Sequence, residues 1–142
     1  QMLEEGQPAI NVLDTFMRDL SSCTGVIRHN IEFDKKMLEV ECIRNKCRRL
    51  SSYRKMTVCT MKMGKHTCNI IKENPYTGKL EPKYPKLIEL HKTLFKTEPS
   101  NLHNSLIDVI VCFRCFHYLT YNVDPVETND QMKHYCKIYC GL

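Results

Sequence analysis

Residues 106–141 read LIDVIVCFRCFHYLTYNVDPVETNDQMKHYCKIYCG, and the fold class follows from how this stretch is read. Leu106, Val109, Ile110, Phe113, Phe116 and Leu119, with Leu102 upstream, recur at three- and four-residue steps, the stripe of an amphipathic helix. The β-branched cluster Ile107-Val109-Ile110-Val111 is the one place where a strand competes, and no segment alternates with period two between hairpin turns. A second helix starts with a strong signal: Asp124 suits the N-cap, Pro125 the first helical position and Glu127 the reciprocal capping carboxylate. Gly141 is its natural C-cap. Cys112 and Cys115 stand three apart on the first helix and Cys136 and Cys140 four apart on the second, so each pair shares a face. Packed antiparallel, these helices would nest Cys115 with Cys136 near the turn and Cys112 with Cys140 further out.

The rest of the chain reads the same way. Ile10, Leu13, Phe16, Met17, Leu20, Cys23 and Ile27 form one helical stripe; Phe33, Met37, Val40, Ile43, Cys47 and Leu50 form another. A turn at Ser51-Ser52 would lead into a third helix carrying Met56, Cys59 and Met63, which Gly64 weakens, so that it would either end there or continue frayed to Ile71. Asn74-Pro75-Tyr76-Thr77-Gly78 through Pro82 and Pro85 has no apolar period and reads as the main loop. A short helix over Pro85–Phe95 follows, ended by Thr97-Glu98-Pro99-Ser100. Cys42 and Cys47 before the turn and Cys59 and Cys68 after it repeat the hairpin theme, with Cys47–Cys59 and Cys42–Cys68 as the nested pairs. The expected fold is all-α: about six short helices in one domain, arranged as two disulfide-stapled hairpins over residues 9–73 and 84–142.

At 142 residues one domain is the default, and folding should bury roughly two-thirds of the unfolded chain's surface. Such a core needs no staples, so nine cysteines call for a separate reason. Hydrophobic residues at 42% and charged residues at 26% exclude disorder and collagen-like repeats. The longest apolar run, Leu106 to Phe113, is broken by Asp108 and is far short of the roughly 18 residues of a membrane span. Cysteine this dense reads as the disulfide framework of an exported protein. The opening Gln1-Met2-Leu3-Glu4-Glu5-Gly6 is then the start of a mature chain whose signal peptide has been removed. No Asn-x-Ser/Thr sequon occurs, so N-glycosylation is not expected. Eight cysteines (Cys42, Cys47, Cys59, Cys68, Cys112, Cys115, Cys136 and Cys140) are the expected disulfide set. Cys23 is left over and could link two copies.

Other chemistries fit the cysteines less well. Cys112-x2-Cys115, twenty residues, then Cys136-x3-Cys140 with His134 nearby approaches zinc-ligand spacing, but the first pair lies inside an apolar helix without a glycine knuckle. A redox Cys-x-x-Cys should open a helix after a strand, which Cys112 and Cys115 do not. Cys23 is the one candidate nucleophile, and no histidine is placed to serve it. His29, His66, His91, His103, His117 and His134 fall in no phosphate-loop, His-Glu-x-x-His or nucleophile-elbow setting. His117 could line a pocket with Tyr118 and Tyr121, although a partly buried helix-end histidine is the commoner meaning. The carboxylates form no spaced catalytic pair. Neither an enzymatic reaction nor a cofactor or metal is expected.

The net charge of +5 hides an asymmetry: residues 35–65 hold ten bases and two acids. Lys35, Lys36, Arg44, Lys46, Arg48, Arg49, Arg54 and Lys55 are the candidate contacts for a polyanion. With Tyr53 the one aromatic ring among them, base stacking on a nucleic acid is not favoured.

Cys47-Arg48-Arg49-Leu50-Ser51-Ser52-Tyr53-Arg54-Lys55-Met56-Thr57-Val58-Cys59 places a tyrosine midway between two cysteines. Cys115-Phe116-His117-Tyr118-Leu119-Thr120-Tyr121, running on to His134-Tyr135-Cys136, repeats the theme less regularly. Over Cys42 to Cys140 the chain resembles the BICYCLE proteins of gall-forming aphids, named for two cysteine–tyrosine–cysteine motifs. The resemblance implies a secreted insect salivary effector, delivered into host tissue to alter host physiology or development, with no catalytic residues to carry over. Its partner would be a host or extracellular macromolecule, anionic if the basic segment is the contact. Two alternatives remain: a secreted carrier of a small apolar ligand, as in the odorant-binding class, and a helical cytokine-like signal. The order of cysteine spacings is inverted relative to the odorant-binding pattern. An enclosed apolar cavity would favour the carrier, and four long helices the cytokine.

Overall fold

The structure, a computed structural model, describes residues 6–47, 55–100 and 104–142. The elements in chain order are α1 (Ala9–Ser22), β1 (Gly25–Arg28), α2 (Ile31–Arg44), β2 (Met56–Cys59), α3 (Thr60–Cys68), β3 (Ile71–Glu73), β4 (Leu80–Pro82), α4 (Leu87–Phe95), α5 (Ser105–Tyr121), α6 (Pro125–Thr128), α7 (Asp130–Tyr135) and a closing π-helical turn, Cys136–Cys140. The described chain is thus predominantly helical, with seven α-helices. It is not all-α, because β1 pairs with β2 and β3 with β4 in two small sheets. By its internal contacts it divides into two compact units, Gln1–Val26 with Ile31–Val58, and Ile27–Asn30 with Cys59–Leu142.

In the first unit, α1 forms where its stripe predicts and buries Leu13, Met17 and Leu20. It stops before Cys23, which is extended. No basic residue stands in its last turn; instead Lys55 Nζ donates to the carbonyls of Ser21 (3.2 Å) and Cys23 (2.7 Å). That contact satisfies the open C-terminal end of the helix. Gly25 has no room for a side chain, since a Cβ would stand 2.9 Å from the Met56 carbonyl oxygen. Helix α2 departs from the expected stripe. It buries Ile31 and Cys42, which at 3.6 residues per turn share one face. Phe33, Met37 and Val40 lie on the opposite face, and Phe33 is 59% exposed. The helix ends with Lys46 left-handed (φ 53°) and Cys47 N–H donating to the Cys42 carbonyl at 2.8 Å, a Schellman closure. The Ser51-Ser52 turn lies outside the described residues.

The expected third helix begins later than its apolar residues suggest, because Met56–Cys59 is extended as β2. Gly64 sits mid-helix in α3 rather than ending it. Its value is close approach: a Cβ there would be 2.5 Å from Cδ1 of Leu90, a fully buried residue of α4. The main loop is a hairpin, with Ile71 opposite Pro82, Lys72 opposite Glu81 and Glu73 opposite Leu80. Asn74 Oδ1 accepts from the backbone N–H of Tyr76 (2.9 Å) and Thr77 (3.3 Å), and Gly78 takes φ +66°, so side-chain turn chemistry makes the reversal. The strands are too short and too exposed to show an apolar period.

The core of the second unit gathers Leu90, Ile107, Ile110, Val111, Cys115, Cys136 and Cys140. Helix α5 starts on Asn104, whose side chain caps the Leu106 N–H at 3.0 Å. Its buried face runs through Ile107, Ile110, Val111, Arg114 and Cys115, one position along from the stripe of Leu106, Val109 and Phe113. Asp124 caps α6 with Pro125 at its start, as expected, accepting from the Val126 N–H at 3.1 Å. The expected single last helix is broken at Asn129, which caps α7 through the Met132 N–H at 2.9 Å. Gly141 closes the chain in the left-handed region at φ +64°.

Candidate functional site

The one charged side chain on the buried face of α5 organises the most elaborate constellation of the second unit. Arg114 Nε donates to Asp124 Oδ1 at 3.0 Å and Nη2 to Oδ2 at 2.6 Å, a bidentate fork. Both side chains are nearly buried, at 10% and 12% exposure. The left-handed Asn122 turns the chain at the end of α5 and so brings Asp124 back over Arg114. The third donor, Nη1, lies 3.1 Å from His91 Nε2. His91 Nδ1 is 3.0 Å from the Thr97 carbonyl, which can only accept. Nδ1 therefore carries the proton, and Nε2 offers its lone pair to the guanidinium. The guanidinium carbon stands 3.9 Å from the centroid of Phe95, whose ring meets Tyr118 edge-on.

Electrostatics agree with these roles. Burial pushes the His91 pKa down; the Thr97 bond opposes that and the Arg114 charge adds to it, leaving the ring neutral. Burial alone would raise the Asp124 carboxyl, but the bonds from Arg114 and the Val126 N–H, with the Arg114 charge, hold it below its ordinary value. Beside this cluster lies an open cleft of about 440 Å³ lined by Leu94, Phe95, Arg114, Tyr118, Asn122, Val123, Asp124 and Glu127. Half of that lining is polar or charged, so it differs from the enclosed apolar cavity a carrier would need.

A second buried chain of hydrogen bonds surrounds Cys112. His29 Nε2 lies 3.0 Å from the Pro85 carbonyl, so it bears the proton and leaves Nδ1 to accept from the Thr60 hydroxyl at 3.0 Å. Thr60 Oγ1 in turn contacts Cys112 Sγ at 3.6 Å. Burial lowers the His29 pKa and raises that of Cys112. The result is a neutral, fully engaged histidine beside a protonated thiol, not an activated nucleophile. Among the described residues no buried side-chain nitrogen or oxygen lacks a hydrogen-bond partner.

All nine cysteines carry free thiols in the structure, without the bridges expected from the sequence. Cys42 and Cys47 are hydrogen-bonded neighbours across the α2 Schellman closure, and Cys136 and Cys140 are hydrogen-bonded neighbours in the π-helical turn. The nested pairing of Cys112 with Cys140 is not assembled. Cys140 belongs to the main core cluster, whereas Cys112 faces Thr60 of α3. The reason is the break at Asn129, which replaces the continuous antiparallel helix that nesting requires. Cys23 is half-buried and bonds to the Leu20 carbonyl at 3.2 Å. Among the described residues no three His, Cys, Asp or Glu side chains are arranged to hold a metal ion.

Arg44 pairs with Glu41 at 2.6 Å, and Lys55 is engaged at the end of α1. Lys35 and Lys36 lie on α2, whose sequence carries four acids against three bases, and Lys46 lies just beyond it. Arg48, Arg49 and Arg54 lie outside the described residues, as do Tyr53 and His103. His117 is half-buried and bonds to the Val123 carbonyl at 2.9 Å, with its ring near Phe113 and Tyr121.

Sequence reasoning passed over Arg114, His91 and Asp124 as a group. Its signal was present: an arginine within Val111-Cys112-Phe113-Arg114-Cys115-Phe116 is a charge in an apolar setting, and such a charge needs a partner. Compared with protein-family models, curated proteins and solved structures, the chain matches none of them. No described helix is long and apolar enough to cross a membrane.

Proposed function

We propose that the chain is a secreted, cysteine-stabilised helical effector, of the salivary type that its cysteine–tyrosine pattern resembles, acting on host tissue by surface contact and without catalysis. One observation carries the non-catalytic part. Buried His91 and half-buried His29 each have both ring nitrogens engaged and a lowered pKa. Arg114 and Asp124 satisfy each other, so these groups stabilise the fold and are not free to attack or shuttle a proton to a substrate. The open polar cleft argues against the carrier alternative. Helices of 14, 14, 9, 9 and 17 residues with two shorter ones argue against a four-long-helix cytokine.

The test is infiltration of the purified full chain into host plant tissue, beside the same chain reduced and alkylated. A developmental or defence response to the first alone is expected. Equal responses, or none, would overturn the effector reading.

A further inference from the structure

We infer that Cys59 pairs with Cys112 and Cys68 with Cys115, two disulfides that staple α3 across α5. The inference rests on the secreted reading above and supplies the connectivity that the spacing of cysteines could not.

Helix α3 packs on α5, and its two ends deliver one cysteine each. Cys59 is buried at the N-cap of α3. The next residue, Thr60, contacts Cys112 Sγ at 3.6 Å, which puts the start of α3 on the buried Cys112. Cys68 is the last residue of α3 and packs against the core cluster that contains Cys115. Cys112 shares the buried face of α5 with Cys115 but lies outside that cluster, so the two cysteines meet different neighbours and the two pairs do not compete.

The electrostatic neighbours agree with the partition. After burial, Cys59 is the thiol that raises the Cys112 pKa. Cys115 feels Cys112, its own helix neighbour, and Cys68, the one thiol of another element that bears on it. Cys136 and Cys140, in the same cluster, answer to each other instead. Spacing alone misleads because Cys112 and Cys115 look inward to two different neighbours, not outward to one.

Each bridge forms by exchange with a disulfide oxidant of the secretory pathway, such as oxidised glutathione. One cysteine thiolate attacks the oxidant and expels a glutathione thiolate; the second attacks the mixed disulfide and expels another. One protein S–S bond forms, one oxidant S–S bond breaks, and the two thiol protons end on two glutathione thiols. Burial disfavours the thiolate at Cys112 and Cys115, so closure belongs to the docking of the helices rather than to the finished fold.

The experiment is disulfide mapping of the full chain secreted from insect cells, alkylated without reduction at acid pH and cut with trypsin. Arg114 separates Cys112 from Cys115, so trypsin distinguishes every pairing. The expected products are Met56–Lys62 linked to Thr97–Arg114, and His66–Lys72 linked to Cys115–Lys133. In Cys59→Ser, Cys112 alone should become newly alkylatable while the second link persists. Peptides linked as Cys47–Cys59, Cys42–Cys68, Cys115–Cys136 or Cys112–Cys140 would overturn this connectivity while leaving the secreted reading intact. Nine alkylated cysteines in the wild-type chain would overturn both.

Discussion

Replacing Asp124 by Asn removes one charge and almost nothing else. Asparagine caps a helix as well as aspartate does, so the bond to the Val126 N–H survives and α6 keeps its start. What is lost is the countercharge to Arg114, whose side chain is 10% exposed. Removing one partner of a buried pair costs about 3–5 kcal/mol, because the remaining charge is stranded. Here the guanidinium keeps its stack on Phe95, its contact with His91 and the asparagine oxygen, so about 2–4 kcal/mol is expected. Asp124→Ala should cost about 1 kcal/mol more, the value of the cap. Arg114→Met with Asp124→Asn should cost less than the sum of the two changes, since no charge is then left unpaired. Urea unfolding followed by far-ultraviolet circular dichroism measures each shift in midpoint at constant slope. A cost for Asp124→Asn below about 1 kcal/mol, or additivity in the double variant, would refute the view that this pair is desolvated and interdependent.

Acid should weaken the fold through buried His91 and half-buried His29. Both pKa values are lowered from the ordinary 6.5, so the unfolded chain binds protons first and the stability they protect is lost as pH falls below that value. The slope is about 1.4 kcal/mol per pH unit for each histidine until it titrates in the folded state. Unfolding midpoints between pH 7.5 and 5 should show this, with a shallower dependence in His91→Gln; a flat profile would contradict the desolvation of the two rings. Gly64→Val should destabilise by about 2 kcal/mol, because its methyl groups meet the fully buried Leu90, and Leu90→Ala should reduce that penalty in the double variant. Phe33→Ser should change the unfolding midpoint by no more than about 0.5 kcal/mol, as expected of an exposed side chain, whereas a loss above about 2 kcal/mol would restore the buried stripe that the sequence suggests.

Several elements were legible in the chain before folding was considered. Helix α1, the short α4, the Asp124-Pro125 start of α6 and the Gly141 stop are local affairs. A stripe of Leu and Met, a capping carboxylate and a left-handed glycine act within a few residues of themselves. The same locality explains the failures. In α5 the apolar residues are so numerous that periodicity cannot choose between adjacent faces, and the chosen face avoided Arg114. The fold turned inward the face that includes it, because Asp124 and His91 were there to satisfy it. In α2 the expected stripe lies opposite Ile31 and Cys42, the residues that are buried.

Cysteine number, helical dominance and the lack of a catalytic motif are properties of composition and local pattern, and the sequence by itself determined them. Which thiols meet depends on where α3 crosses α5 and on the break at Asn129, both set by contacts between residues far apart in the chain. The ion-paired cluster is of the same kind. Arg114 lies ten residues from Asp124 and twenty-three from His91, and only a chain already folded around Phe95 and Leu90 holds the three at bonding distance. Tertiary structure decided these matters because desolvation, which makes a buried charge or thiol seek its partner, does not exist until the core has closed.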